Sequence, residues 1–336
     1  MEPTLVLLGA TATGKSAVAL ALARGRGGEI VNADALQAYR RLDIGTGKPS
    51  AAERSEVPHH LFDVLEPDER FSAGEFARRA RAVVAEIRAR GAWPIVVGGS
   101  GFYLRSLLDG LTPLPAVGEE LRRELREQAA RDGAEAMHAR LAALDPPSAE
   151  RLAAADRQRV LRALEITLGT GRPFSAWLAE PAREPGLAGL KVGLTVPRRI
   201  LYVRIGARVR SMVDGGWLDE VTRLLREGVP PESPAFQAIG YRELARCARG
   251  ECGLEEAVEA IVLATRHLAK RQETWFRRER NVHWVVAEDR ASATADVQRL
   301  VSEVGHGRAH DDDKAQHQYP GRVPVPEPQG GAGGGG

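Results

Sequence analysis

Cysteine is nearly absent. Cys247 and Cys252 are the only two in 336 residues, and they lie close together with no histidine at metal-ligand spacing nearby. That excludes a disulfide framework and leaves no zinc module to expect, so simple buried or surface thiols are the reading. Lysine is scarce as well: five of the 47 basic residues, with arginine used almost everywhere else. No apolar run reaches the length of a membrane span, and the apolar stretch at Leu5 is too short, and lacks the basic start, for a signal peptide. A cytoplasmic protein with no membrane partner is the expectation. Net charge is only +2, so affinity for nucleic acid must come from local patches. What remains, 43% hydrophobic and 27% charged, is an ordinary composition for one large or two smaller globular domains.

Against that background one stretch stands out. Leu5-Val6-Leu7-Leu8 has strand length and runs into Gly9-Ala10-Thr11-Ala12-Thr13-Gly14-Lys15-Ser16, after which Ala17 to Leu22 continue as a helix. Strand, glycine loop and helix stand in the order of a phosphate-binding loop. The glycines let backbone N–H groups turn inward on an anion, and the helix N-terminus adds positive potential. Lys15 would reach terminal phosphates, and Ser16 would hold a magnesium ion. A glycine turn with a surface lysine is the alternative, and the scarcity of lysine counts against it.

A second strand, Glu29 to Ala33, ends at Asp34. Ligands of open parallel sheets sit outside the carboxyl ends of the strands, which aims Asp34 at the same crevice. Its other reading is the N-cap of a following helix. Asp43-Ile44-Gly45-Thr46-Gly47-Lys48-Pro49 has no periodicity and reads as an ordered loop over a site. His59 to Val64 is a possible strand, its histidines reading as packing groups, and Ser72 to Arg90 a helix. Trp93 to Val97 is a buried strand that ends in Gly98-Gly99-Ser100-Gly101, where a nucleoside-triphosphatase would place an aspartate for magnesium.

From Pro113 to about Pro185 the texture is all helical, with helices expected over 121–131, 134–144 and 157–168, before strand character returns at Lys191 to Val196. The pattern predicts an α/β fold: a P-loop core with a parallel sheet, residues 1–112 and 187–300, and an inserted all-helical domain at 113–186. Arg204 and Arg208, four apart on a helix, share a face, which alone is also what a solvated basic face looks like. A long helix from Leu254 to Arg278 ends in cations interleaved with aromatics, a pattern that suits phosphates and stacked bases and equally suits a helix C-terminus. Val282 to Val286 is a last short strand, and residues 301–336, rich in Gly, Pro, His and Gln, read as a disordered tail.

Several segments together resemble one family. They are the phosphate loop, Asp34-Ala35-Leu36-Gln37 with the Asp43–Pro49 loop, Val97 to Tyr103, Leu111 to Pro115, Arg159 to Glu165, Gln237 to Arg242 and Ala264 to Gln272, in that order from about Thr4 to Val286. The chain resembles the bacterial tRNA dimethylallyltransferases, also called tRNA isopentenyltransferases. The resemblance implies a P-loop core, a helical insertion and a channel between them. It implies transfer of a dimethylallyl group from dimethylallyl diphosphate to the exocyclic amine of the adenosine 3′ of the anticodon, with magnesium; a monomer is the expectation.

For individual residues the resemblance implies the following. Gly9, Ala10, Thr11, Ala12, Thr13, Gly14, Lys15 and Ser16 would cradle the diphosphate, with Ser16 on the metal. Asp34, Ser100 and Arg208 would be catalytic; Ser100 stands where the family usually has threonine, and Ala35 replaces a common serine. The tRNA anticodon stem-loop would meet Asp34, Ala35, Leu36, Gln37, Arg122, Gln158, Arg159, Val160, Leu161 and Arg162. It would also meet Gln237, Ala238, Ile239, Gly240, Tyr241, Arg242, Lys270, Arg271, Gln272, Trp275 and Arg277. The alternatives are a P-loop small-molecule kinase using ATP, against which the missing acid after Val97 counts, and a non-catalytic RNA-binding protein.

Overall fold

A computed structural model describes residues 2–110, 112, 114–180 and 186–305. The chain opens with β1 (Leu5–Gly9), α1 (Lys15–Arg26), β2 (Gly28–Asn32), α2 (Ala51–Glu56), β3 (His59–His60), α3 (Ala73–Ala89), β4 (Trp93–Gly98) and α4 (Gly101–Leu108). Then come α5 (Glu119–Leu144), α6 (Pro146–Arg151), α7 (Arg157–Thr170) and α8 (Phe174–Leu178). The rest is β5 (Leu190–Thr195), α9 (Arg198–Asp214), α10 (Trp217–Arg226), a 3-10 turn (Pro234–Gln237), α11 (Tyr241–Ala248), α12 (Leu254–Phe276), β6 (His283–Val286) and α13 (Arg290–Gly305).

The chain divides into two compact units. The first is built from residues up to Arg105 and from Ala188 onward, the second from Ser106–Leu187. In the first, six parallel strands run in the order β3-β2-β4-β1-β5-β6. β1, β2 and β4 are buried along their whole length; β1 and β4 accordingly read as unbroken apolar runs, while β2 carries the buried Glu29 and Asn32. One apolar cluster joins the sheet to α1 and α13 through Leu5, Leu7, Val18, Leu22, Ile95 and Val297. A second joins α9, α10, α11 and α12 through Ile205, Trp217, Tyr241 and Ile261. β1 and β4 lie side by side, and their connections leave in opposite directions along the sheet, one to β2 and one to β5. That is the topological switch point at which open parallel sheets bind ligands.

The second unit has its own core of Leu125, Met137, Leu141, Val160 and Leu164. The two helices expected at 121–131 and 134–144 form one span, broken at Gly133 by a left-handed φ of 84°. The unit starts at Ser106, ahead of the expected 113, and Leu187 N–H donates to Leu107 O at 2.8 Å where it closes.

Two expectations need correction. The strand expected at His59 to Val64 is only two residues long, because Leu61 (φ 62°) and Asp63 (φ 55°) turn left-handed and end it. Residues 301–305, placed in the expected tail, are helical instead: α13 runs to Gly305, and Val301 is buried in the cluster under α1. Residues 306–336, the remainder of that expected tail, lie outside the described residues.

The end of β4 tolerates no side chain. A Cβ on Gly98 would collide with the carbonyl of Ala33, a backbone atom that cannot swing aside. Gly98→Ala is expected to destabilise the protein by about 2 kcal/mol or more, the upper part of the range for overpacking, read as a lower denaturation midpoint in urea. A midpoint equal to the parent's would mean that the β2 and β4 ends can part freely.

Candidate active site

The phosphate loop is a tight backbone cradle at the end of β1. Gly9 has a φ of 148°, and a Cβ there would stand 2.5 Å from Leu194 O. Ala12 (φ 62°) and Gly14 (φ 96°) are both left-handed, and Thr13 Oγ1 donates to Ala10 O at 2.9 Å to close the turn from inside. Lys15, the first residue of α1, folds back and donates from Nζ to Ala10 O at 2.7 Å. Burial pushes its ammonium down to about 8; the Asp34 charge opposes this and the Arg208 charge adds to it. Ser16 is exposed beside it.

Asp34 is held by the end of β2. Asn32 Oδ1 accepts Asp34 N–H at 2.8 Å, and Asn32 Nδ2 donates to Asp34 O and to Leu61 O, both at 3.0 Å. Asp34 Oδ1 accepts Leu36 N–H at 3.0 Å. This is an Asx turn and not a helix cap, since the next helix begins only at Ala51. Ser100 Oγ accepts Ala35 N–H at 3.1 Å, so the hydroxyl ties the turn of Asp34 to the start of α4. Its own hydrogen remains to donate.

A cavity of about 360 Å³ gathers these groups: Thr11, Gly14, Lys15, Ser16, Asp34, Gln37, Arg208 and Gln272 line it, together with Leu20, Ile30, Phe62 and Val97. Arg208 comes from α9, and burial lowers its guanidinium pKa from the usual value while the Asp34 charge opposes the shift. It has no ion-pair partner among the described residues. Arg204, one turn earlier, has a different use: it donates to Ala287 O and Glu288 O at 3.0 and 2.6 Å beyond the end of β6. Neither arginine belongs to a merely solvated face.

Gln272 bridges two loops of the site. Its Oε1 accepts Thr11 N–H at 2.8 Å and its Nε2 donates to Gly99 O at 2.9 Å. Gly99 has room for this contact only without a side chain, since a Cβ there would stand 2.6 Å from Gln272 Nε2.

A second, open groove of about 300 Å³ runs along the end of α12, lined by Arg105, Lys270, Arg271, Thr274, Trp275 and Arg278. The Arg105 guanidinium lies over the Trp275 ring, 4.6 Å from its centre, and pairs with Glu279 at 2.6 Å. Arg277 is exposed next to it. Arg105 and Arg278 were not among the residues expected here; Arg105 comes from α4, far away in the chain, with no local signal of its own.

Not every expected contact residue faces solvent. Leu36, Ala35 and Gln37 are half-buried, and Gln37 Nε2 donates to Thr46 O and Gly47 O at 3.0 and 3.1 Å. Gln237 and Arg242 are exposed and Ile239 half-buried, but Ala238, Gly240 and Tyr241 are buried. In the second unit Gln158 and Arg159 are exposed and Leu161 and Arg162 half-buried, while Val160 sits in the core. Arg122 and Arg162 both pair with Glu165, at 3.7 and 3.0 Å. The side chains of Val160, Ala238 and Tyr241 are packed in cores, and Gly240, also buried, has none, so these four positions offer RNA backbone only. The Gln272 amide is likewise spent on Thr11 and Gly99.

Comparison with known proteins is consistent with this geometry. The family model described as IPP transferase matches residues 37–279. The chain belongs to that family. A tRNA dimethylallyltransferase of Anaeromyxobacter sp. (strain Fw109-5) is 49% identical over 288 residues, 85% of this chain and 95% of the relative. One from Geobacter sulfurreducens is 46% identical over 283 residues, 84% of this chain and 91% of the relative. Among solved structures, a tRNA isopentenylpyrophosphate transferase from Bacillus halodurans is similar with a TM-score of 0.66 and 34% identity, covering 92% of this chain and 98% of that one. A eukaryotic dimethylallyltransferase acting on tRNA reaches a TM-score of 0.78 at 26% identity, covering 92% and 80%.

The lowered pKa of Lys15 gives a pH test. Lys15 is charged below about 8 and neutral above it. Affinity for inorganic pyrophosphate, measured calorimetrically, is expected to fall as pH rises through that value, and Lys15→Arg should move the fall to higher pH. A flat profile from pH 7 to about 9.5 would mean Lys15 does not meet the anion.

Proposed function

We propose that this chain transfers a dimethylallyl group from dimethylallyl diphosphate to the exocyclic amine of the adenosine 3′ of the anticodon in tRNA, releasing pyrophosphate, as a cytoplasmic monomer. The observation that supports it best is the convergence on one cavity of a phosphate loop with Lys15, a second cation, Arg208, and a carboxylate, Asp34, with glycines and Ser100 where a nucleotide hydrolase would want an acid. A diphosphate needs the same cradle whether it belongs to a nucleotide or to a prenyl donor.

In this reading the donor diphosphate lies over the backbone of residues 9–16, near α1. The C1–O bond breaks as the adenine nitrogen bonds to C1, and the electron pair leaves on pyrophosphate. Lys15 releases Ala10 O and turns to the leaving oxygens, and Arg208 offsets their charge; donors of this kind are worth ~10²–10³ in rate each. Asp34 takes the proton from the amine. Its Oδ1 is already anchored by Leu36 N–H, which keeps the carboxylate aimed. The Ser100 hydroxyl holds the backbone next to it.

Magnesium fits the donor set as an ion shared with the substrate. Among the described residues there is no cluster of three His, Cys, Asp or Glu, and Ser16 and Asp34 are hard-oxygen donors on the cavity wall, as suits an ion held largely by phosphate oxygens and water. Bound there, it would supply charge stabilisation to the leaving pyrophosphate.

The adenine cannot react inside a stacked anticodon loop and must be flipped out, at a cost of a few kcal/mol. The cationic groove at the end of α12 supports an RNA contact that repays this: Lys270 and Arg271 on phosphates, Trp275 packed beside them. Gln158, Arg159, Gln237, Arg242 and Arg277, all exposed, are further contacts in the same reading.

The direct test is mass spectrometry of tRNA treated with the protein and dimethylallyl diphosphate; no added prenyl mass would refute the assignment. Asp34→Asn keeps the Asx turn and loses the charge, so single-turnover rate should fall ~10²–10⁴-fold, and a loss under about tenfold would return Asp34 to a purely structural role. Neutralising Lys270 and Arg271 together should make the dependence of log tRNA affinity on log salt shallower by roughly one to one and a half units while sparing donor affinity. An unchanged slope would place the RNA elsewhere.

A further inference from the structure

The loop Asp43–Lys48 forms part of the cavity wall, with Thr46, Gly47 and Lys48 on its lining. It has only two internal backbone hydrogen bonds, Gly47 N to Ile44 O and Lys48 N to Asp43 O. Its Lys48 end is pinned by Lys48 Nζ, which donates to Tyr39 O and pairs with Asp43 and Asp63, and its Asp43–Gly45 end is held by a carboxylate from α10. Glu220 is 2% exposed. Its Oε2 accepts Asp43 N–H and Ile44 N–H, each at 2.9 Å; its Oε1 accepts Gly45 N–H at 3.4 Å and the Tyr241 hydroxyl at 2.6 Å. Four donors saturate a carboxylate, and an ionised acceptor binds such donors about twice as strongly as a neutral one. Burial, and then the Glu220 charge, push the Tyr241 phenol well above its ordinary pKa, so it remains a donor. Trp217 is slotted between Gly45 and Gly240, where a Cβ on either glycine would collide with its indole.

The other end of the loop leans on Arg208. A Cβ at Gly47 would collide with Arg208 Nη2, so the guanidinium presses its Nη2 end against that glycine. Gln37 fixes the same backbone from the opposite side through Thr46 O and Gly47 O. The chain of contact is therefore Glu220, loop backbone, Gly47, Arg208.

We infer that Glu220 is a positioning residue for Arg208: it fixes the loop Asp43–Lys48 as the surface against which the guanidinium is held over the cavity. It touches no substrate and acts only through the loop. The inference rests on the reading of the cavity as a diphosphate site, and the test separates the two.

Arg208 is followed by its rate of modification with phenylglyoxal, mapped by peptide mass, in the full-length protein. Glu220→Gln is isosteric, but its amide nitrogen cannot accept, so part of the loop loses its anchor and leaves N–H groups unpaired. Modification of Arg208 should quicken roughly tenfold, and pyrophosphate affinity should drop by a similar factor, while tRNA affinity holds. Gly47→Ala pushes on the guanidinium without altering Glu220 and should give the same signature. It carries the test if Glu220→Gln does not fold. The pyrophosphate effects of Glu220→Gln and Arg208→Lys should be strongly non-additive.

A folded Glu220→Gln protein with parental Arg208 reactivity, or additive effects with Arg208→Lys, would overturn the positioning role. So would a folded Gly47→Ala protein with parental Arg208 reactivity. Failure of pyrophosphate to protect Arg208 in the parent protein would instead overturn the diphosphate reading and leave the positioning result standing.

Discussion

The close approach of backbone to backbone at the ends of β1, β2, β4 and β5 is the constraint on which the site rests. Gly9 lies against Leu194 O and Gly98 against Ala33 O, and neither contact leaves room for a Cβ. Parallel pairing sets Leu8 beside Gly98 and Gly9 beside Leu194, so the chains emerge at one level. Ala33 N–H then donates to Val97 O at 2.8 Å and keeps β2 in step. The phosphate loop, the Asp34 turn and the Gly99-Ser100 turn leave from this level and bond to each other through the Ser100 hydroxyl and the Gln272 amide. A cradle for an anion and a carboxylate for a proton thus face one cavity because three strand ends cannot be pulled apart without losing ladder hydrogen bonds buried on both faces.

The electrostatics follow from that crowding. Lys15, Arg208 and Asp34 share the cavity wall, and both of these cations have their pKa lowered mainly by burial. Lys15 rests on a neutral carbonyl rather than an acid. A diphosphate would bring the charge that this arrangement lacks, whereas the Asp34 charge only tempers both cations. Charged groups of one sign, desolvated around a concave backbone, are how a protein prepares for an anion in advance of its arrival.

Local chemistry was legible in the sequence and support was not. Gly9 to Ser16 announces itself because strand, glycines and lysine are contiguous, and Asp34 because it ends a short strand-like stretch, Glu29 to Ala33. The α/β class follows from buried strands that read as unbroken apolar runs. The helical insertion follows from the loss of any such run between 113 and 185. Gln272, Glu220 and Arg105 act across 173 to 261 residues of chain, and no spacing reports such a meeting. Tyr241 and Val160 fell in family-like segments whose cations face outward, while they themselves turn inward with helical period. α13 carries no strong local signal because its buried positions, Ala293, Val297 and Val301, are small and four apart, next to a stretch of low-complexity composition.

One junction bears on how the chain assembles. The second unit leaves after Arg105 and returns at Ala188, and its two ends are tied by the hydrogen bond between Leu187 and Leu107. β4 and β5 must take their places on either side of β1 although more than 90 residues separate them. If the insert gathers its own core first, the connection the core must close behaves as a short link instead of a long floppy one. Closure entropy scales as the logarithm of length, so the saving is on the order of 2–3 kcal/mol. Because that term must be met before the non-local strands reward it, it falls on the folding barrier, and the insert's own cohesion sets the pace at which the sheet is completed.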